Sequence, residues 1–213
     1  MKVAGGQAED GIVIGNTYDK YGTRNPIARR MVQGFEAALS SLVTKVRPAT
    51  IHEVGCGEGY WVMRWLEQGI DARGTDFSAQ VIGMAKENAR GKDIDHRRFA
   101  VRSIYEVAPE PDSADLIVCC EVMEHLEEPR KALQALERIV RSDLILSVPR
   151  EPIWRVLNLA RGKYISALGN TPGHLQHWSQ RGIVALASEF FDVVEVLSPL
   201  PWTMMHCKPK KRH

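Results

Sequence analysis

The residues of this chain best placed to do chemistry are a glutamate and three glycines at alternate positions. Glu53, Gly55, Gly57 and Gly59 lie in Thr50-Ile51-His52-Glu53-Val54-Gly55-Cys56-Gly57-Glu58-Gly59. Glycines permit a tight turn and let a ligand touch the main chain. A helix starting after Gly59 would aim its free N–H groups back at that ligand. The G-x-G-x-G spacing brings the third glycine one residue earlier than in the G-x-G-x-x-G dinucleotide fingerprint. Asp76 follows Gly55 by 21 residues. An acid at about that distance accepts ribose hydroxyls in nucleotide-binding folds; the competing reading is a cap for the helix opened at Ser78. Farther on stands Cys119-Cys120-Glu121-Val122-Met123-Glu124-His125-Leu126. His125 can take a proton near working pH, or simply hold nearby backbone. His174 and His177 have H-x-x-H spacing, which is not the H-E-x-x-H zinc signature; with no third ligand evident, no metal is expected.

These residues need elements to position them. Asn25-Pro26 starts a helix through a capping side chain and a proline at the first helical position. Ile27, Met31, Phe35, Leu39 and Leu42 continue it at helical spacing, and Pro48 ends the segment. A strand then runs to Val54, a helix covers about 60–67, a second strand about 71–75, and Ser78 caps a helix to about residue 89. Residues 97–101 read as a third strand. The apolar run 114–120 fits a central parallel strand buried on both faces. Adjacent Cys119 and Cys120 should therefore point to opposite sides. Ala132, Leu133, Leu136, Ile139 and Val140 mark a helix, and 144–148 a fifth strand. Runs at 191–197 and 202–207, joined by Ser198-Pro199-Leu200-Pro201, fit an antiparallel pair. The alternation of strand and helix predicts an α/β fold with a ligand at the carboxyl ends of the strands.

The bulk numbers fit one domain with a sizeable core: 213 residues, 44% hydrophobic and 25% charged, with a net charge of +2. That charge leaves no strong nucleic-acid footprint. The dense basic run 208–213 reads as a solvated tail. Residues 1–15 read as a flexible N-terminus without the apolar stretch of a signal peptide. No apolar run is long enough to span a bilayer, and the four cysteines lack C-x-x-C spacing. Free thiols in a reducing cytoplasm fit best.

Glu53 with Gly55-x-Gly57-x-Gly59 and Asp76 together resemble the class I S-adenosylmethionine (SAM) methyltransferases. The stretch Glu121 to His125 is similar to that of the ubiquinone-biosynthesis O-methyltransferase group. The resemblance covers roughly residues 18–207. It implies a Rossmann-like, seven-stranded, mostly parallel sheet with an antiparallel last strand and helices on both faces. It also implies SAM as cofactor and S-adenosylhomocysteine as product. Glu53 would face the cationic amino-acid end, with Gly55, Cys56, Gly57 and Gly59 against it, and Asp76 would bind the ribose. Phe77 and Ile104 would pack on adenine or belong to the core. Ser103 stands where many relatives carry an adenine-binding aspartate, which departs from the pattern. Glu121 and Val122 would line the cofactor, while His125 and His174 would stand toward the acceptor. Tyr18 and Tyr21 would form a lid, or be ordinary half-buried tyrosines. The insertion 149–188 would cap the acceptor side as an amphipathic stretch that covers a greasy acceptor, touches a membrane surface or packs on its own domain. The implied function is methyl transfer from SAM to a small molecule, with oxygen ahead of carbon or nitrogen. RNA or protein methylation and a non-catalytic SAM-fold partner are the alternatives; nucleic acid is not the expected partner.

Overall fold

The computed structural model describes residues 1–9, 12–16 and 21–211. Its frame is a seven-stranded sheet. The strands are β1 (Thr50–Val54), β2 (Asp71–Asp76), β3 (Phe99–Val101), β4 (Ala114–Cys120), β5 (Val140–Pro149), β6 (Phe191–Leu197) and β7 (Trp202–Pro209). Their spatial order is β3-β2-β1-β4-β5-β7-β6. The first five run parallel, and β7 lies antiparallel to both β5 and β6. The fold is therefore the Rossmann-like one that the motifs imply.

Alternation along the central strands divides the core between the two faces. Ile117, Cys119, Leu144, Leu146, Val148, Met205 and Cys207 pack with helices α4 (Pro129–Ile139) and α6 (Gln180–Ala187). Leu116, Val118, Ile145 and Met204 pack with α1 (Pro26–Val46), α2 (Tyr60–Glu67) and α3 (Ala79–Arg90). Cys119 and Cys120 do fall on opposite faces. Helix starts follow the local chemistry. Asn25 accepts hydrogen bonds from the amides of Ile27 and Ala28, and Ser78 and Ser179 cap α3 and α6.

Some boundaries differ from the sequence reading. A 3-10 turn, His96–Arg98, replaces the start of the third strand because Asp95 caps it by accepting from the Arg97 amide at 3.0 Å. Strand β5 begins at Val140 rather than near 144, directly after α4. Where residues 1–15 read as flexible, the structure pairs Ala8–Glu9 antiparallel with Ile12–Val13. It also buries Ala4 and Ile14 against Val81. The basic tail begins inside β7, which extends to Pro209. Among the described residues, no helix is long and apolar enough to cross a membrane.

Because β1 and β4 are neighbours while the chain leaves β1 toward β2, the connections diverge on either side of the β1–β4 pair. That topological switch opens the crevice where a ligand binds such sheets. Beneath it, His52 on β1 is fully buried. Its Nδ1–H donates to the Asp112 carbonyl at 2.7 Å, so Nε2 accepts from the Thr75 hydroxyl at 2.9 Å. Both ring nitrogens are thus satisfied by the neutral imidazole. Burial lowers its pKa to about 4, assisted by Arg73 and Arg102 and opposed by the Asp112 carbonyl and carboxylate. The unfolded chain takes up this proton below about pH 6.5, whereas the native state resists until about 4. Stability from this group is complete above the unfolded value and drains as pH falls through that window, by roughly 1.4 kcal/mol per pH unit at most. Urea melts of His52→Gln between pH 7 and 4 should show a shallower fall than the native chain; equal slopes would disprove the assignment.

Candidate active site

The carboxyl ends of β1, β2 and β4 open into one cavity of about 860 Å³. At one end, the loop after β1 folds over the end of β2. The amides of Gly55 and Cys56 donate to the Thr75 carbonyl at 2.7 and 2.9 Å. Asp76 Oδ2 accepts from the Gly57 amide and Oδ1 from the Ser78 amide, both at 3.1 Å. Burial raises the Asp76 pKa, while these two amides oppose the rise. A carboxylate has about four acceptor positions, so two remain for ligand hydroxyls. Asp76 thus lines the cavity and holds the amide of Ser78, while Ser78 itself is the cap of α3.

The glycines divide by geometry. All three have positive φ, 80°, 53° and 84° for Gly55, Gly57 and Gly59. A Cβ on Gly55 would meet Val122 Cγ2 at 2.2 Å, so Val122 closes directly over it. A Cβ on Gly57 would meet nothing within 4 Å, and Gly57 lines the cavity; that open space suits a ligand against the main chain. Gly59 lies off the cavity. It opens α2, and a Cβ there would sit 2.6 Å from the Phe99 ring, so its role is close packing. Cys56 is buried, and its thiol is held well above the usual range by burial and then by the charges of Asp76 and Glu53.

Glu53 is buried and lines the cavity beside Tyr21. Burial, then the Glu53 charge, pushes the Tyr21 phenol well above its usual range. Tyr21 stacks on Tyr60 with ring centroids 3.6 Å apart. An aromatic face and a carboxylate together favour a cation there. Tyr18 lies outside the described residues. Phe77, Ser103 and Ile104 line the same end. Phe77 is exposed and Ile104 buried. Ser103 accepts from the Tyr105 amide in a capping box with Glu106, which occupies part of its hydrogen-bonding capacity.

Glu121 connects the two ends. Its backbone is left-handed at φ 60°, uncommon for a residue with a side chain. Its carboxylate accepts from the Ser147 hydroxyl and the Trp202 indole N–H, and Trp202 packs against Phe35 and Trp154. The far end holds Glu124, His125 and His174. His125 Nδ1–H donates to the Gly173 carbonyl at 2.8 Å, leaving Nε2 as its basic nitrogen. Burial lowers the His125 pKa against that hydrogen bond. Burial, then His125 and His177, lower His174 to about 3. Both rings are therefore neutral at neutral pH. His177, by contrast, is exposed and bonds Asn170.

The insertion supplies the roof. Helix α5 (Ile153–Ala160) turns Trp154 and Leu157 toward the cavity and leaves Val156 and Leu159 exposed. Buried Asn158 fixes the returning chain by donating to the Gly169 carbonyl at 2.9 Å and to Thr171 Oγ1 at 3.1 Å. A polar residue on the apolar face of this helix was the available sequence signal for that role. Glu58 left no such signal, because a charge inside a glycine turn normally points to solvent. Here it is 1% exposed. It accepts from the amides of Ala4 and Asn16 at 2.9 and 2.8 Å, strapping the N-terminal segment beside the glycine loop.

Comparison with known proteins agrees with this fold. Residues 52–148 match the family model described as a methyltransferase domain. The ubiquinone biosynthesis O-methyltransferase of Methylococcus capsulatus is 26% identical over 152 residues, 63% of this chain and 62% of that protein. That of Dechloromonas aromatica is 26% identical over 143 residues, 60% of this chain and 61% of that protein. The matched segments thus span less than two thirds of either relative. Magnesium protoporphyrin IX methyltransferase from Synechocystis, solved with bound S-adenosylhomocysteine, superposes with a TM-score of 0.67 at 17% identity, covering 90% of this chain and 91% of that one. A Pyrococcus horikoshii protein superposes at 0.71, also at 17% identity, covering 91% and 96%. Residues 52–148 therefore carry a methyltransferase domain, and the chain is similar to the class I SAM-dependent methyltransferases, with distant homology to the ubiquinone-biosynthesis O-methyltransferases.

The Glu58 strap gives a direct expectation. Glu58→Gln keeps the shape but removes the charge that strengthens both amide bonds, each worth about 1.5–3 kcal/mol in that form. Hydrogen exchange at the Ala4 and Asn16 amides should accelerate at least tenfold while the amides of β4 stay protected. Unchanged exchange would mean that the strap is held elsewhere.

Proposed function

We propose that this protein transfers a methyl group from SAM to an oxygen of a small-molecule acceptor, a hydroxyl, phenol or carboxylate. The observation carrying this reading is the continuity of one cavity from Gly57 and Asp76 to Glu124, His125 and His174. SAM supplies a methyl group already activated on a sulfonium. The chain's task is then chiefly to hold two reactants in line and exclude water. Asp76 would hold the ribose hydroxyls, the main chain around Gly57 the methionine moiety, and Glu53 with Tyr21 the cationic end. Phe77, Ser103 and Ile104 would border the adenine, while Glu121 and Val122 would separate cofactor from acceptor.

On the acceptor side, Trp154, Trp202 and Phe35 would offer aromatic walls, and His125 would take the acceptor proton on Nε2. His174 would orient the same group. The roof formed by α5 favours a small acceptor over a macromolecule. Val156, Ile165 and Leu168 lie exposed near Arg155 and Arg161, which suits an apolar acceptor arriving from a membrane surface.

Calorimetry should detect S-adenosylhomocysteine, and Asp76→Ala should weaken it by about 2 kcal/mol, roughly 30-fold. Unchanged affinity would reduce Asp76 to a loop clamp. Labelled-methyl transfer should be screened against phenols, quinols, carboxylic acids, RNA and protein. Turnover of RNA or protein alone would defeat the small-molecule reading. With an accepted substrate, His125→Ala should lower kcat about a hundredfold or more at nearly unchanged cofactor affinity.

A further inference from the structure

We propose that Glu124, His125 and His174 form a binding site for one divalent first-row transition-metal ion, of the zinc or manganese class, at the acceptor end of the cavity. Its use in catalysis rests on the methyl-transfer reading; its existence rests on geometry alone.

One carboxylate oxygen of Glu124 and one ring nitrogen from each histidine lie within 4.8 Å of one another. Ligands about 2 Å from a shared ion stand roughly 3–4 Å apart, so side-chain adjustments of about an ångström close the site. The backbone already fixes the spacing. The Glu124 carbonyl accepts from the amides of Leu175 and Gln176 at 2.8 and 3.0 Å, tying the His174 segment to the turn carrying His125. The Gly173 carbonyl holds His125 Nδ1–H, the outer contact that selects Nε2 as the ligating nitrogen. The His174 ring is wedged between the rings of Trp154 and His125, with centroids at 5.8 and 5.0 Å. This is more orientation than a solvated histidine receives.

The donor set selects the kind of ion. Calcium requires six to eight oxygen ligands, and magnesium keeps mostly water and carboxylate. Two imidazoles and a carboxylate suit zinc, manganese or iron. Glu124 is only 2% exposed, and one of its carboxylate oxygens lies beside the two imidazoles, which keeps the three donors together away from bulk solvent. All three residues line the cavity, leaving a coordination position open toward the acceptor. With the ion bound, His125 Nε2 serves as a ligand instead of as the base, and an acceptor hydroxyl bound to the ion would lose its proton to solvent while the electron pair stays on oxygen; no redox change is needed. His177 takes no part: the ligands come from two segments that only the fold brings together, not from the H-x-x-H pair.

Chelator-treated full chain should be titrated with zinc chloride and manganese chloride by calorimetry. One ion per chain is expected. His174→Ala and Glu124→Gln should each weaken binding at least a hundredfold, and His177→Ala should leave it unchanged. No binding, or binding indifferent to both ligand substitutions, would overturn the site. If the variants do not fold, pulsed electron paramagnetic resonance of manganese in the unaltered chain decides. Two coupled histidine nitrogens support the site, and none or one overturns it. Metal binding without any methyl acceptor would uphold the site and defeat the methyl-transfer reading. Methyl transfer by a chain that binds no metal would do the reverse.

Discussion

The carboxylate of Asp76 is the constraint on which the glycine-loop end of the cavity depends. It stands at the last residue of β2 and accepts amides from two loops, Gly57 from one and Ser78 from the other. Each loop reverses the chain at a strand end, where backbone groups have lost their sheet partners and must find others. One buried charge serves both. Charge-assisted bonds of this kind are worth about 1.5–3 kcal/mol each, and losing one would leave the carboxylate desolvated without compensation. Its burial is tolerable only because the glycine loop keeps its shape, and the loop keeps its shape because the carboxylate is there.

A comparable interdependence governs the end of the cavity that holds Glu124 and His125. The left-handed backbone at Glu121 redirects the chain after β4, so that Val122 covers Gly55 while Glu124 and His125 face the insertion. Such a backbone costs about 1–3 kcal/mol unless its surroundings hold it. The surroundings here are Ser147 on β5 and Trp202 at the start of β7, both hydrogen-bonded to the Glu121 carboxylate. Trp202 thereby belongs both to the sheet and to the cavity wall.

Local patterns and long-range contacts were unequally legible in the sequence. The strand before Gly55 and the opening of α1 at Asn25-Pro26 were readable because each is written in neighbouring residues. So was the burial of both faces of β4, which is apolar without a break from Leu116 to Cys120. Gly59 misled because a glycine needed for packing on Phe99 looks the same in sequence as one needed for a ligand. Glu58 was opaque for another reason: its partners, Ala4 and Asn16, lie more than forty residues earlier, and nothing local announces them. The His174–His177 pair drew attention through its spacing, yet folding sends His177 outward and brings His174 against His125 across 48 intervening residues. Periodicity reports which face a residue occupies; it does not report what arrives on that face from elsewhere.

The position of β7 has a consequence for how the molecule is made. Strand β6 precedes β7 in the chain, yet β7 lies between β6 and β5 in the sheet and pairs with both. During synthesis, β5 therefore waits with an unpaired edge and β6 waits with no neighbour at all until β7 has left the ribosome. The nascent chain carries an exposed ladder of N–H and C=O groups through that interval, a ready template for pairing with another chain. Trp202 arrives with the same strand, so the cavity wall and the sheet are completed in a single late event.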